Sequence, residues 1–191
     1  MTKQKILRSA INIMKSNSFS NTTARMIASD AKISVGTIYN HYSSKEDILN
    51  YLFEQEYHKR QQYLLSLKKS EKSNIDKLLS FVEFHFLELK ANKGLAKVLI
   101  RESSNPDLTN LDGIKKFNKE LPVEFADIIK QAVLKNEIRA CSPSLVSNII
   151  FNLIRGAVFS AALEESIDME SMKSEVKIFI KNGLRKQSGN M

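Results

Sequence analysis

Two short helical patterns with only two residues between them constrain this chain more than any other feature. From Thr22 to Lys45 it reads TTARMIASDAKISVGTIYNHYSSK. Thr23 is a good N-cap, because its hydroxyl can accept from the free N–H groups of a helix beginning at Ala24. Ile27, Ala28 and Ala31 give that helix an apolar side. Ser34 can cap a second helix, in which Val35, Ile38 and Tyr42 recur on one face at helical spacing. Only Lys32 and Ile33 lie between the two. Two such helices joined by a tight connection form the helix-turn-helix pattern, whose second helix lies in the DNA major groove.

Charge falls on the same segment. The formal net charge of the chain is +8. Residues 1–45 hold seven basic side chains, Lys3, Lys5, Arg8, Lys15, Arg25, Lys32 and Lys45, against the single acid Asp30, so the head carries +6 and the rest only +2. Cations that neutralise phosphates release condensed counterions and so supply affinity for DNA.

The string T-T-x-x-x-I-A-x-x-A-x-I-S-x-G-T-I-Y-x-H-Y-x-S-K-E-D-I-L, beginning at Thr22, resembles the N-terminal domain of TetR-family transcriptional regulators. The resemblance covers about the first quarter of the chain and departs from the family pattern at Lys32, where a glycine is usual. A left-handed backbone is expected there, at a cost of about 1 kcal/mol for a residue with a side chain.

With Ile38 and Tyr42 facing inward, Thr37, Tyr39, Asn40 and His41 are left for DNA. Thr37 can meet a phosphate or a base edge, and Tyr39 suits a phosphate contact that positions the helix. Gly36 permits close backbone approach, Arg25 can reach phosphate or guanine, and Lys45 can pair with a phosphate at a helix N-terminus. Thr23 and Ser34, the two caps, complete the candidate set. Val35 stays open: the helical wheel puts it near the core, and the resemblance puts it near DNA. Non-DNA roles remain open for His41 as a cap or packing residue, Tyr39 as core and Arg25 as a solvated charge.

The rest of the chain predicts an all-α architecture. Six glycines and three prolines in 191 residues are few for a chain rich in turns. A first helix, Thr2–Ser16, places Ile6, Leu7, Ala10, Ile11 and Met14 on one stripe. Phe19 reads as a core plug, and Ser43 with Glu46 as a capping box opening a long helix. Further helices are expected at about 75–92, 95–99, 111–134 with a kink or break at Pro122, from Ser142-Pro143 to about Glu165, and at about 169–185, with 187–191 frayed. That makes about nine helices: a three-helix DNA-binding domain in 1–45, and an effector-binding and dimerisation bundle in 46–191.

The penultimate helix is apolar on most sides, which implies a partner beyond its own subunit. Candidate dimer contacts are Ile150, Ile154, Ala157, Val158 and Ala161, with Val176, Phe179 and Ile180 of the last helix. An apolar or amphipathic effector could be lined by Phe81, Phe84, His85, Phe117, Phe125, Phe151, Asn152, Arg155 and Phe159. Arg155 needs either a structural partner or an anionic ligand. The region is also similar to fatty-acid-responsive members of the family, in which an acyl-CoA fills the bundle.

Catalysis finds no support, since the chain has no HExxH, nucleophile elbow or glycine-rich phosphate loop. No metal or cofactor site is expected, and lone Cys141 forms no internal disulfide. The N-terminus lacks the continuous apolar segment of a secretory signal, and no run of 18 apolar residues predicts a membrane span, so the expected location is the cytoplasm. The expected function is that of a homodimeric repressor, reading a pseudo-palindromic double-stranded operator and released by a small effector. The alternatives are a DNA-binding architectural or division-linked protein without a ligand, and a helical small-molecule carrier.

Overall fold

Apolar residues recur every three to four positions through most of the chain, and each such run is a helix. The computed structural model describes residues 2–163 and 168–186. The expected helix end near Glu165, the frayed 187–191 tail and the side chain of Ala162 lie outside the described residues. The elements are α1 (Thr2–Asn17), α2 (Ala24–Asp30), α3 (Val35–Tyr39), α4 (Lys45–Lys69), α5 (Asn74–Ala91), α6 (Lys93–Ser103), α7 (Asp112–Lys115), α8 (Leu121–Leu134), α9 (Pro143–Leu163) and α10 (Met169–Leu184). A short 3-10 turn covers Pro106–Leu108, and a π-helical turn, Lys116–Glu120, joins α7 to α8. Residues 112–134 are therefore helical with an interruption, as Pro122 predicted. The wide turn directly precedes the proline, where a regular helix would clash with its ring and leave a carbonyl without its N–H partner. The Pro122 carbonyl accepts from the buried Ser147 hydroxyl at 2.5 Å.

Contacts between Cα atoms divide the chain into two units. The first comprises residues 1–57 and 92–118, the second 58–91 and 119–191. This grouping differs from a cut after residue 45, because a three-helix head has too little apolar surface to bury against itself. In the first unit Ile6, Ala10 and Met14 of α1, Ile27 and Ala28 of α2, and Ile38 of α3 are buried, together with Leu49 and Phe53 of α4 and Val98 and Leu99 of α6. Phe19 is buried, as a plug should be. The cap of α4 is Ser44 rather than Ser43, with Asp47 in place of Glu46 as its carboxylate partner. Ser44 Oγ accepts from the Asp47 N–H at 3.1 Å, and the Asp47 carboxylate accepts from the Ser43 N–H at 3.0 Å.

The second unit is built from α5, α8, α9, α10 and the C-terminal half of α4. Its buried residues include Leu64, Leu78, Val82, Ile128, Ile129, Ile154 and Ile180. α8 ends in a Schellman motif at Asn136 (φ 57°), with the Glu137 N–H donating to the Ala132 carbonyl at 2.8 Å. That turn aims the Glu137 carboxylate at the start of α5, where it accepts from the N–H groups of Asn74 at 2.6 Å and Ile75 at 3.1 Å. A cap from 63 residues away satisfies donors that the helix itself cannot. By length and composition alone, Pro143–Ala161 within α9 could cross a membrane. This amends the expectation drawn from the lack of an unbroken apolar run. Its Ile150, Ile154 and Val158 are buried against the chain's own helices.

Candidate nucleic-acid interface

Both motif helices start on the side chains that the sequence nominated. Thr23 Oγ1 accepts from the Met26 N–H at 3.2 Å, and Ser34 Oγ accepts from the Thr37 N–H at 3.1 Å while sharing a hydroxyl–hydroxyl bond of 2.9 Å with Thr37. The turn between them is a Schellman motif centred on Lys32. Lys32 donates to the Ser29 carbonyl at 3.1 Å and Ile33 to the Ala28 carbonyl at 3.0 Å. The geometry places Lys32 in the left-handed region, at φ 50°.

α3 is consequently two-sided. Ile38 is buried and Tyr42, just beyond the helix, is 3% exposed, whereas Tyr39 is 55% exposed and Gly36, Asn40 and His41 also face solvent. Val35 and Thr37 are half-buried at the boundary. A Cβ on Gly36 would meet only Ser34 Oγ, at 3.7 Å, so packing within the chain does not require glycine there. Thr23 and Arg25 are exposed at the start of α2.

Lys45, expected at a phosphate, has partners within the chain. Its ammonium donates to the carbonyls of Phe19 (3.1 Å), Ser20 (3.4 Å) and Thr22 (3.1 Å) and lies 4.4 Å from the centre of the Phe19 ring. The cation is spent closing the α1–α2 loop. Sequence reasoning also missed the support behind Tyr42. Its ring meets Tyr51 edge-on at 5.8 Å, and the Lys3 ammonium sits over both rings, at 5.8 and 5.5 Å. Burial, with smaller contributions from Tyr51 and Asp47, pushes the Tyr42 phenol up to about 12.

Only part of the aromatic set nominated as an effector pocket comes together. Phe81, His85, Phe125 and Phe151 form a ring cluster in the second unit, with centroid separations of 5.0 Å (Phe81–Phe125), 5.5 Å (Phe125–Phe151) and 6.1 Å (His85–Phe151). Arg60 Nε donates to His85 Nδ1 at 3.1 Å, which makes that imidazole an acceptor there. Burial, then the charges of Arg60 and Arg155, hold the His85 pKa well below its usual value. Arg155 is half-buried. Phe84 is half-buried and stacks on Tyr63 at 4.1 Å. Phe117 belongs to the first unit, edge-on to Phe53 at 5.6 Å. Asn152 and Phe159 are exposed. The residues diverge because apolar periodicity does not say which helix covers which face.

The nominated dimer residues divide in the same way. Ile150, Ile154, Ala157, Val158, Ala161, Val176 and Ile180 are buried within the chain's own packing, while Phe179 is 66% exposed. The outward stripe of α9 runs one step round the helix, through Leu145, Ile149, Asn152, Gly156 and Phe159. Spacings of three and four residues put these five on one face.

Comparison with known proteins agrees with this geometry. The family model for bacterial regulatory proteins of the tetR family matches residues 6–52, which span α1–α3 and the start of α4. The fatty acid metabolism regulator protein of Bacillus subtilis is 23% identical over 184 residues, covering 94% of this chain and 93% of that protein. The structure of the Bacillus subtilis transcriptional regulator FadR in complex with stearoyl-CoA has a TM-score of 0.82 at 23% identity, covering 95% of this chain and 99% of that one. Thermus thermophilus FadR, a TetR-family repressor solved with lauroyl-CoA, has a TM-score of 0.71 at 19% identity, covering 99% and 98%. The match to the tetR family of bacterial regulatory proteins is carried by residues 6–52, the helix-turn-helix segment and the start of the helix after it.

Proposed function

We propose that the protein is a homodimeric transcriptional repressor that binds a pseudo-palindromic operator and releases it when an amphipathic effector, a long-chain fatty acyl-CoA, occupies its helical bundle. The observation that carries this reading is the two-sided α3 inside the family-matched segment. It buries Ile38 and presents Gly36, Tyr39, Asn40 and His41 to solvent, on the part of the chain that holds most of the positive charge. The acyl-CoA assignment rests on the relatives named above. It is supported by an aromatic cluster bordered by the cationic Arg60 and by Arg155, whose charge His85 feels. A second copy would cover the Leu145–Phe159 stripe together with Phe179, setting two heads on half-sites related by the dimer axis. The protein acts where the chromosome is, in the cytoplasm, and as a binding protein rather than an enzyme.

The test is to select duplexes from a random pool with the purified protein and titrate the winner by fluorescence anisotropy. Affinity should fall on the order of 10³-fold between 50 and 200 mM salt. Stearoyl-CoA should weaken it, and free coenzyme A should not. Equal binding to every sequence would sink the repressor reading. Indifference to acyl-CoA chains of every length would sink the effector.

A further inference from the structure

The loop Ser18–Thr22 sets where α2 starts, and so where the recognition helix lies. It is a tight structure: Ser18 is left-handed (φ 61°), the Thr22 N–H donates to the Phe19 carbonyl at 3.0 Å, and the buried Thr22 hydroxyl donates to the Ser18 carbonyl at 2.6 Å. The next residue, Thr23, is the N-cap of α2. Its carbonyls are gripped by Lys45 of α4, as described above. The Phe19 N–H of the loop is gripped from a different element. Glu102, on the last turn of α6 and 1% exposed, accepts from the Phe19 N–H at 3.0 Å. The same carboxylate accepts from Arg101 Nε at 2.7 Å and from Asn105 Nδ2 at 3.5 Å. Arg101 also donates through Nη2 to the Met14 carbonyl at the end of α1.

A carboxylate buried this deeply persists only when its lone pairs are satisfied, and here one partner is the backbone of the loop ahead of the motif. α6 therefore holds the DNA-reading head directly, at the α1 terminus through Arg101 and at the α1–α2 loop through Glu102. Two elements outside the motif, α4 and α6, grip opposite polar sides of the same five residues. A shift in either moves the N-cap of α2.

We infer that Glu102 is a positioning residue for operator recognition, fixing through the Phe19 N–H the register of the helix-turn-helix against the rest of its unit. This rests on the DNA-binding reading above. It differs from a merely structural role in what it predicts: loss of preference for the operator over other DNA, in protein that is still folded.

The experiment compares wild type, Glu102→Ala and Glu102→Gln for binding to a selected operator duplex and to a scrambled duplex, well below the melting temperature of each protein. Glutamine keeps an oxygen for the Phe19 N–H, and alanine removes it. Glu102→Ala should lose at least tenfold in operator affinity with scrambled-duplex binding within twofold of wild type, and Glu102→Gln should recover most of the loss. Equal loss on both duplexes, or an operator affinity within twofold of wild type for Glu102→Ala, overturns the inference. If the alanine variant does not fold, Arg101→Met is read in its place, since it leaves the buried carboxylate intact. A threefold or greater loss of operator preference supports the inference, and a wild-type preference overturns it. A wild-type protein with no preference between the duplexes defeats the DNA-binding reading itself, so the two failures are distinguishable.

Discussion

Gly113 lies directly on Asn50: its N–H donates to Asn50 Oδ1 at 2.7 Å, and a Cβ built on it would overlap the Asn50 backbone carbonyl and stand 2.9 Å from Phe53 Cβ. The contact lets α7 approach α4 more closely than any side chain allows. Phe117 on Phe53 and Lys116 paired with Glu54 at 3.2 Å extend it by another turn. Gly113→Ala should therefore destabilise the first unit by about 1–3 kcal/mol, the usual cost of overpacking against backbone that cannot yield. An unchanged denaturation midpoint would show that the two helices are free to separate.

Lys32 is the second backbone test. The Schellman turn at the end of α2 needs φ near +50°, where a side chain costs about 1–2 kcal/mol, offset in part by the greater chain entropy that glycine loses on folding. Lys32→Gly should raise stability by roughly 0.5–1 kcal/mol, and Lys32→Val should lower it. The exposed position means that little packing is altered, so a thermal melt reads the backbone alone.

His85 makes stability depend on pH. Its folded pKa lies well below the ordinary value of 6.5, so below pH 6.5 the unfolded chain takes up a proton that the folded chain refuses. The stabilisation is complete above 6.5 and is lost as pH falls from there toward the folded pKa, by up to about 1.4 kcal/mol per pH unit. Glutamine can still accept from Arg60 but does not titrate. Urea melts from pH 7 to 5 should show a slope in the wild type that His85→Gln flattens, and equal slopes would place the titration elsewhere.

Ile149 tests the proposed dimer face. It is 60% exposed in the chain and sits mid-stripe on α9, so Ile149→Asp should cost the subunit fold less than about 0.5 kcal/mol. In a dimer it would place an unpaired carboxylate in an apolar interface. Sedimentation should show a shift from dimer to monomer at micromolar concentration. Ile154→Asp, at a fully buried site, should instead prevent folding. A variant at Ile149 that stays dimeric would move the interface off this stripe.

The local chemistry of the head was legible because it is decided within a few residues. Thr23 and Ser34 accept the N–H groups three positions on, the left-handed turn falls at Lys32, and Phe19 is buried. Each follows from covalent geometry or from an unsatisfied donor one turn away, so reading along the chain is enough. The break ahead of Pro122 is of the same kind, since a proline's clash is with its own preceding turn.

Only the tertiary structure decided the rest. The Lys45 ammonium meets carbonyls 23 to 26 residues away, Glu102 an N–H 83 residues away, and Glu137 caps a helix from a distance of 63. A long polar side chain looks the same in sequence whether it faces phosphate or a buried carbonyl. α9 carries apolar residues around most of its circumference, so periodicity could not separate Ile150 and Ile154, which its own subunit buries, from Leu145 and Ile149, which it leaves exposed. Sequence by itself determined that this chain is helical and that a basic helix-turn-helix pattern lies between Thr22 and Lys45. Which cations meet buried carbonyls and which apolar face stays exposed were decided by how helices distant in sequence pack, because burial is a property of neighbours.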